Sequence, residues 1–401
     1  MGKRGIPSEA GDLAQNGMRA ALPVMAAVFI SFLIIGMALP VLPLHVHDHL
    51  GFGPFVIGIV AGCQFIAALL SRLWAGRLTD TQGAKRAVVL GLIAAMIGGA
   101  CYLASLVLLA LPELSVVVLL FGRALLGGAE SLIITGGMLW GLGLVVPNRG
   151  AKVIAWVGMS MFAAVAVGAP VGSLVYARAN FLGIATLTAG LPALALIMIA
   201  PLKPLVPAPS TPANIRAVLS AVMLPGIGFA LSGITFGSII AFLTLFFAIQ
   251  GWAHGAFAFT IFAVALILVR VFAAQLPDRF GGATVAMGCL AFQAAGVAMI
   301  AFASRGEVAM AGAALGGAGF SLVFPSFGIE AVRRAPPQAR GLAMGTYNAF
   351  LDLTLGIGSP FLGLLASHAG LNAVFLASAV AALLAVPIAV VLRGRRVAQA
   401  A

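Results

Sequence analysis

The chain has 401 residues, of which 62% are hydrophobic and only 8% are charged, and its net charge is +12. Soluble domains are about 45–50% apolar and about 25% charged, so this composition excludes an ordinary soluble protein. The positive charge would fit a nucleic-acid-binding protein, but most of the 22 Lys and Arg residues lie in the chain ends and in alternate loops. This asymmetry is the positive-inside pattern of membrane proteins; it predicts that both termini are cytoplasmic and that no nucleic acid binds.

Apolar segments long enough to cross a bilayer follow one another along the chain. A helix needs about 20 apolar residues to span a hydrocarbon layer about 30 Å thick. Twelve such segments are predicted, at residues 20–44, 54–76, 86–110, 114–144, 151–177, 181–200, 217–249, 255–276, 283–303, 307–332, 340–366 and 371–392. The sequence therefore predicts an all-α, multi-pass membrane protein, and we interpret its first helix as an uncleaved anchor.

A proline-rich stretch separates the sixth predicted helix from the seventh. PLKPLVPAPSTPANIR, residues 201–216, contains five prolines, and such a run favours an extended linker over a helix. The chain then divides into an N-terminal tail (1–19), a first six-helix bundle (20–200), the cytoplasmic linker, a second bundle (217–392) and a C-terminal tail (393–401).

The two bundles also repeat one another in sequence. RLWAGRLTDTQG (72–83) aligns without a gap to RVFAAQLPDRFG (270–281), each at the end of the second helix of its bundle. A weaker match aligns Arg149-Gly150 with Arg340-Gly341. Parallel six-helix repeats are one of the architectures of secondary transporters.

GRLTDTQGAKR (76–86) resembles the signature of the loop between helices 2 and 3 in the major facilitator superfamily. The resemblance extends over nearly the whole chain and implies two bundles around a central cavity with alternating access. It also implies a latch between the bundles at the cytoplasmic surface, formed by Arg77, Asp80, Gly83 and Arg86 and, in the second repeat, by Arg270, Asp278 and Gly281. The acid that often completes this latch in the fourth helix is absent here. The alternative is that these cations only anchor the loop at the membrane surface.

Ionisable residues inside the predicted helices are few and therefore informative. Each costs about 2.5–3.5 kcal/mol at the bilayer centre, even on a lenient scale. Arg123 and Glu130 lie on one face of the fourth helix, and Asp352 lies near the middle of the eleventh. A low-dielectric site disfavours a charged carboxyl group and allows proton exchange near neutral pH, so these three residues are candidates for proton coupling. In the alternative interpretation, Glu130 and Asp352 are buried acids that are bonded permanently to a neighbouring helix.

Polar residues near these acids are candidates for lining a substrate cavity. Tyr347 and Asn348 are within a turn and a half of Asp352, and Gln64 lies in the second helix. Glu330 has a different interpretation, because Arg334 follows it at the spacing of a structural i,i+4 ion pair.

A fifth-helix motif and a histidine cluster complete the candidates. AVGAPVGS resembles a motif of family exporters in which small residues allow close helix packing and a proline bends the helix; it contains Gly168, Pro170 and Gly172. LHVHDHLG places three histidines in the loop after the first helix, at residues 45, 47 and 49. Histidines at every second residue do not match a defined spacing of metal ligands. We therefore expect them to be surface histidines and expect no metal site.

These features predict a secondary transporter and not an enzyme, with the proton gradient as its driving force and no cofactor. AESLIITG (129–136) resembles sugar (arabinose-type) and drug efflux permeases of bacterial inner membranes, and the fifth-helix motif favours export. The leading prediction is proton-coupled antiport of a small organic molecule, such as a sugar or a drug-like compound, by a monomer in the lipid bilayer. The alternatives are a proton symporter or facilitator for import and, less favoured, a membrane sensor or enzyme.

Overall fold

The computed structural model describes residues 8–144, 150–204, 215–336 and 339–400, and its long elements in these ranges are all helices. The first half contains α1 (Ser8–Ala38), α2 (Pro54–Gln82), α3 (Ala84–Val107), α4 (Pro112–Leu144) and the segment Gly150–Ile199, divided at Asn180 into α5 (150–179) and α6 (181–199). The second half contains α7 (Ile215–Ile249), α8 (Gly255–Ala273), α9 (Gly282–Ala301), α10 (Gly306–Arg334) and the segment Arg340–Ala400, divided at Gly370 into α11 (340–369) and α12 (371–400). Three short helices, Leu42–Leu44, the π-helix His45–His49 and Leu276–Phe280, lie between them.

The predicted number of membrane crossings is confirmed. Ten helical segments in the described ranges are long and apolar enough to cross a membrane. Two of these, Ala163–Ile199 and Leu342–Gly394, contain the divisions at Asn180 (φ 50°) and Gly370 (φ 81°), where the backbone leaves the helical region. Each of the two therefore supplies two crossings, which gives twelve.

The helices extend further than the apolar segments at both ends of the chain. α1 begins at Ser8, inside the predicted N-terminal tail, and α12 continues to Ala400 through the predicted C-terminal tail. Apolar length measures only the part of a helix that crosses the membrane, whereas backbone hydrogen bonds continue beyond it. Within the predicted linker, residues 205–214 lie outside the described ranges, and α7 already begins at Ile215.

The sequence repeat corresponds to a repeat of backbone structure. Gly83, between α2 and α3, has φ 92° and ψ 152°, and the aligned Gly281, before α9, has φ 85° and ψ 139°. Residues with a side chain rarely adopt these angles, so glycine is required at both turns. The two loops therefore follow the same path into the next helix.

The two halves meet along α2 and α11 through residues without large side chains. A Cβ atom on Gly58 would lie 2.3 Å from the Ser359 carbonyl oxygen, and one on Gly363 would lie 2.5 Å from that of Pro54. These contacts are at the end of the bundle that carries the short helix His45–His49. Close backbone approach at small residues is the usual way in which membrane helices associate.

We expect Gly58→Ala to shift the protein away from the conformation in which these ends of α2 and α11 touch. The added methyl group overpacks only that conformation, at a cost of about 1–3 kcal/mol, which changes the ratio of two conformations about 5- to 150-fold. Distances between spin labels at positions 55 and 361, measured by pulsed EPR, would increase. Gly128→Ala is the matched control, because a Cβ atom there meets nothing within 4 Å. Unchanged distances in the Gly58 variant would contradict the prediction.

Candidate functional site

An ion pair between the two halves lies further along the same pair of helices. The Arg72 guanidinium of α2 donates from Nη2 to Oδ2 of Asp352 in α11, residues that are 280 positions apart in the chain. The Asp352 side chain is only 8% exposed and that of Arg72 20%. This contact therefore joins the halves through a charge pair that is largely shielded from solvent.

Glu130, the second candidate acid, lies close to this pair in the first half. Its Oε2 accepts a hydrogen bond of 2.9 Å from Nε2 of Gln64, and both side chains are buried. α2 and α4 are very close here, since Ser131 Oγ donates to the Ala68 carbonyl oxygen at 2.6 Å. Glu130 interacts electrostatically with both Asp352 and Arg72. The structure thus brings Gln64, Glu130 and Asp352 together, and it adds Arg72 to them.

Arg123 lies elsewhere on α4 and does not pair with Glu130. Its guanidinium is fully buried and donates from Nε to the Val60 carbonyl oxygen and from Nη2 to that of Ala61, both at 3.1 Å. Both acceptors belong to α2. The guanidinium also interacts with the buried Tyr102 hydroxyl through a side-chain hydrogen bond, and it interacts electrostatically with Glu130 without forming an ion pair.

Tyr347 packs inside the second half. It is fully buried, its hydroxyl donates to the Phe324 carbonyl oxygen at 3.0 Å, and its ring stacks on that of Phe229 at 4.8 Å. Asn348, the next residue, is partly exposed on α11. A role for these two residues in a substrate cavity stays a prediction.

The predicted latch residues lie at the opposite end of the bundle from Gly58. Arg77, Asp80, Arg86 and Asp278 are exposed, and neither carboxylate forms an ion pair with any residue that the structure describes. Arg270 instead donates from Nη2 to the Ser321 carbonyl oxygen of α10 at 2.5 Å. A latch between these residues stays a prediction for another conformation.

The fifth-helix motif lies where α5 packs on α1. A Cβ atom on Gly168 would lie 2.7 Å from the Leu33 carbonyl oxygen, and one on Gly172 would lie 2.1 Å from that of Met37. Pro170 is inside the same helix. The close helix approach expected from the small residues is therefore present.

The histidine cluster differs from its prediction. His45 is 1% exposed, because the short π-helix turns its ring inward onto Phe181, with ring centroids 4.1 Å apart. The expectation of surface histidines is therefore wrong for His45. His47 Nδ1 lies 3.3 Å from the Phe52 carbonyl oxygen, and His49 is exposed. In the described ranges no group of three or more His, Cys, Asp or Glu side chains could hold a metal ion.

Arg72 is the functional candidate that sequence reasoning did not assign. Two features of the sequence could have indicated it. Arg72 lies within a predicted helix, and Asp352 is an intramembrane acid whose counterpart in the other repeat, Met161, is uncharged. Intramembrane charges usually pair with one another, but the partner cannot be chosen without the helix contacts.

The fold and the buried charges define a polytopic transporter built from two six-helix halves, and comparison with known proteins agrees. The sequence profile of the Major Facilitator Superfamily matches residues 24–259 and 225–401. The uncharacterized MFS-type transporter STM4428 of Salmonella typhimurium is 42% identical over 361 residues, which cover 90% of this chain and 93% of that protein. The uncharacterized MFS-type transporter YhhS of Escherichia coli is 38% identical over 377 residues, 93% of each chain. The chain belongs to the Major Facilitator Superfamily and is a membrane transporter, as predicted, and not an enzyme.

Solved structures support the same fold at low sequence identity. The nucleoside transporter NupG aligns with a TM-score of 0.69 at 18% identity, covering 94% of this chain and 98% of NupG. The POT family transporter PepTSo aligns with a TM-score of 0.75 at 12% identity, covering 95% of this chain and 99% of PepTSo. At these identities the likeness concerns the fold alone.

We expect Arg72→Gln to destabilise the protein more than the double variant Arg72→Gln/Asp352→Asn. Removal of one partner leaves a buried charge unpaired, which costs about 3–5 kcal/mol, whereas removal of both charges avoids that cost. Thermal denaturation of the purified protein measures the difference. Arg77→Gln is the matched control, because Arg77 is on the same helix but exposed. Equal stability of the Arg72 and Arg77 single variants would show that the ion pair contributes nothing.

Proposed function

We propose that this transporter is a proton-coupled exporter of a small organic molecule, working as an antiporter in a bacterial inner membrane with both termini in the cytoplasm. The observation that carries the proposal is the largely shielded ion pair between Arg72 and Asp352, which joins the two halves beside the buried carboxyl group of Glu130. A proton is the smallest ligand that can remove the charge on either acid.

Proton binding to Asp352 would neutralise the charge that Arg72 pairs with. The attraction that joins α2 to α11 would then weaken, and the free-energy difference between open and closed forms would change. A ligand shifts a conformational equilibrium only through such a difference in its interaction with the two states. Glu130 adjoins the pair, so a proton on one acid changes the electrostatic environment of the other. The two acids thus form one coupling unit.

The conformation of the structure supports a two-state mechanism. The halves touch at the Gly58 end, while the predicted latch residues at the opposite end are exposed. With cytoplasmic termini, this is a form closed toward the outside. A latch that pairs Asp80 with a cation of the other half would stabilise the alternative form, closed toward the cytoplasm. We further propose that the transporter moves its solute out of the cell and that this solute is a sugar or a drug-like compound, as in sugar or drug efflux permeases.

We expect Asp352→Asn and Glu130→Gln each to reduce the rate of transport driven by a pH gradient at least about tenfold, which corresponds to about 1.4 kcal/mol in the activation free energy. Both substitutions keep the hydrogen-bonding shape and remove the titrating group. The assay uses purified protein in proteoliposomes with an imposed pH gradient and a panel of sugars, drugs and organic acids.

Two further acids provide matched controls. Glu113→Gln changes an exposed acid at the start of α4, and Glu330→Gln changes a buried acid of α10 that lies 4.0 Å from Arg334 on the same helix. Both controls should keep gradient-driven transport. Normal transport by both Asp352→Asn and Glu130→Gln would overturn the coupling assignment. Accumulation of the solute on the alkaline side, toward which the protons flow, would show a symporter instead of an antiporter.

A further inference from the structure

The structure buries His45 without a side-chain hydrogen bond. The residue is 1% exposed, and neither Nδ1 nor Nε2 has a partner among the described residues. Its ring lies flat on that of Phe181, the first residue of α6, with the two planes 9° apart. Even a neutral imidazole contains one donor and one acceptor, and most buried groups of this kind find a partner. Stacking on Phe181 therefore fixes the position of this ring, and hydrogen bonds do not.

The residues of its own helix offer no partner for a charged His45 ring. His49 stacks on it with ring centroids 5.3 Å apart and interacts with it electrostatically. Asp48, the acid of this short π-helix, is exposed and interacts with Tyr176 of α5. A protonated His45 would thus meet a second histidine and no carboxylate.

The elements packed against this ring do not supply a negative charge either. Phe181 is apolar, and Tyr102 of α3 packs on it with ring centroids 5.5 Å apart. The Tyr102 hydroxyl is hydrogen-bonded to Arg123 of α4, so the charge connected to this cluster is positive. Among the described residues no carboxylate forms an ion pair with His45. An imidazolium here would bury a positive charge and two N–H donors without an acceptor, so this conformation holds the ring neutral.

The residues beside His45 form a contact between the two halves at the Gly58 end of the protein. They line a small cavity that Ile240 of α7, in the second half, closes from the other side. The lining residues of this segment are Leu39, Leu42, Pro43 and Val46. We call the contact of residues 39–46 with α7 the gate. Because His45 holds this segment against α6 while its neighbours face α7, release of the ring would loosen the gate.

We propose that His45 is a pH-sensitive switch of this gate: uptake of a proton by its ring favours the conformation in which the two halves separate at the Gly58 end. In the closed form the ring is buried and neutral. Once the gate opens, the ring reaches water, where an imidazole takes up a proton near about pH 6.5. A proton that binds to the open form alone stabilises that form. The closed form therefore keeps its full stability above about pH 6.5 and loses it progressively as the pH falls further.

This switch is separate from the proposed coupling site and does not depend on the direction of solute transport. With the termini in the cytoplasm, the Gly58 end faces the outside, so an acidic exterior would open the gate there. Opening toward the outside would then depend on the same proton gradient that drives transport.

The test follows the separation of the halves in the purified full-length protein as the pH is lowered from about 8 to about 5. Spin labels at positions 55 and 361, both exposed, report the distance between α2 and α11 by pulsed EPR after the three native cysteines are replaced by alanine. The protein also carries Arg72→Gln, Asp352→Asn and Glu130→Gln, which remove the proposed coupling acids and their partner. We expect the ratio of open to closed forms to rise up to about tenfold for each pH unit below about 6.5.

Substitution of His45 should remove this response, and substitution of other histidines should not. His45→Phe keeps a ring on Phe181 but cannot bind a proton, so its open fraction should not change with pH. One control is His49→Gln, which changes the neighbouring ring. The other is His368→Gln, which changes an exposed histidine at the Gly58 end of α11. Both controls should keep the response.

Phe181→Leu keeps the test decisive if His45→Phe does not fold. It removes the stacking partner but leaves the histidine, so the closed form is weaker and the midpoint pH of opening should rise by about 0.4–1 unit. A pH response that persists in His45→Phe, or that is absent while His45 is intact, would overturn the inference, as would an unchanged midpoint in Phe181→Leu. Because the test protein lacks the coupling acids, a failure of the coupling assignment in the transport assay would not affect this result.

Discussion

The contact between α2 and α11 joins the two halves of this transporter, and two different interactions share it. At one end, glycines allow the helix backbones to touch, and packing of this kind does not depend on charge. Further along, Arg72 and Asp352 hold the same helices together through a charge pair in a place that solvent hardly reaches. Only the second interaction contains a group whose charge a proton can remove, and the proposed coupling rests on this difference.

The internal duplication makes the proposed proton switch one-sided. Arg72 has a counterpart in Arg270, but the counterpart of Asp352 is Met161, so the other repeat lacks the acid. Arg270 accordingly donates to Ser321 within its own half. The backbone symmetry remains visible in the matching angles of Gly83 and Gly281. In the proposed mechanism the symmetric scaffold would supply two equivalent conformations, and the asymmetric charge would allow a proton to distinguish them.

α2 is the element on which the buried polar groups converge. Its carbonyl oxygens hold Arg123, its Gln64 donates to Glu130, and its Arg72 reaches across to Asp352. Arg123 and Glu130 are seven residues apart on α4, roughly 10 Å along the helix axis. α2 therefore connects both of these positions on α4 to the second half of the protein.

The sequence by itself determined the membrane-spanning helices, the division into two halves and the repeat of the loops after α2 and before α9, because apolar length, proline content and repeated motifs are local features of the chain. It also marked Glu130, Asp352 and Arg123 as exceptional, since a charge inside an apolar helix stands out without any structure. Only the tertiary structure decided their partners. Asp352 meets an arginine 280 residues away, Glu130 bonds Gln64 and not Arg123, Tyr347 packs among aromatic rings, and His45 turns inward onto Phe181. Such contacts depend on which faces of distant helices meet, and no pattern within a single helix encodes that.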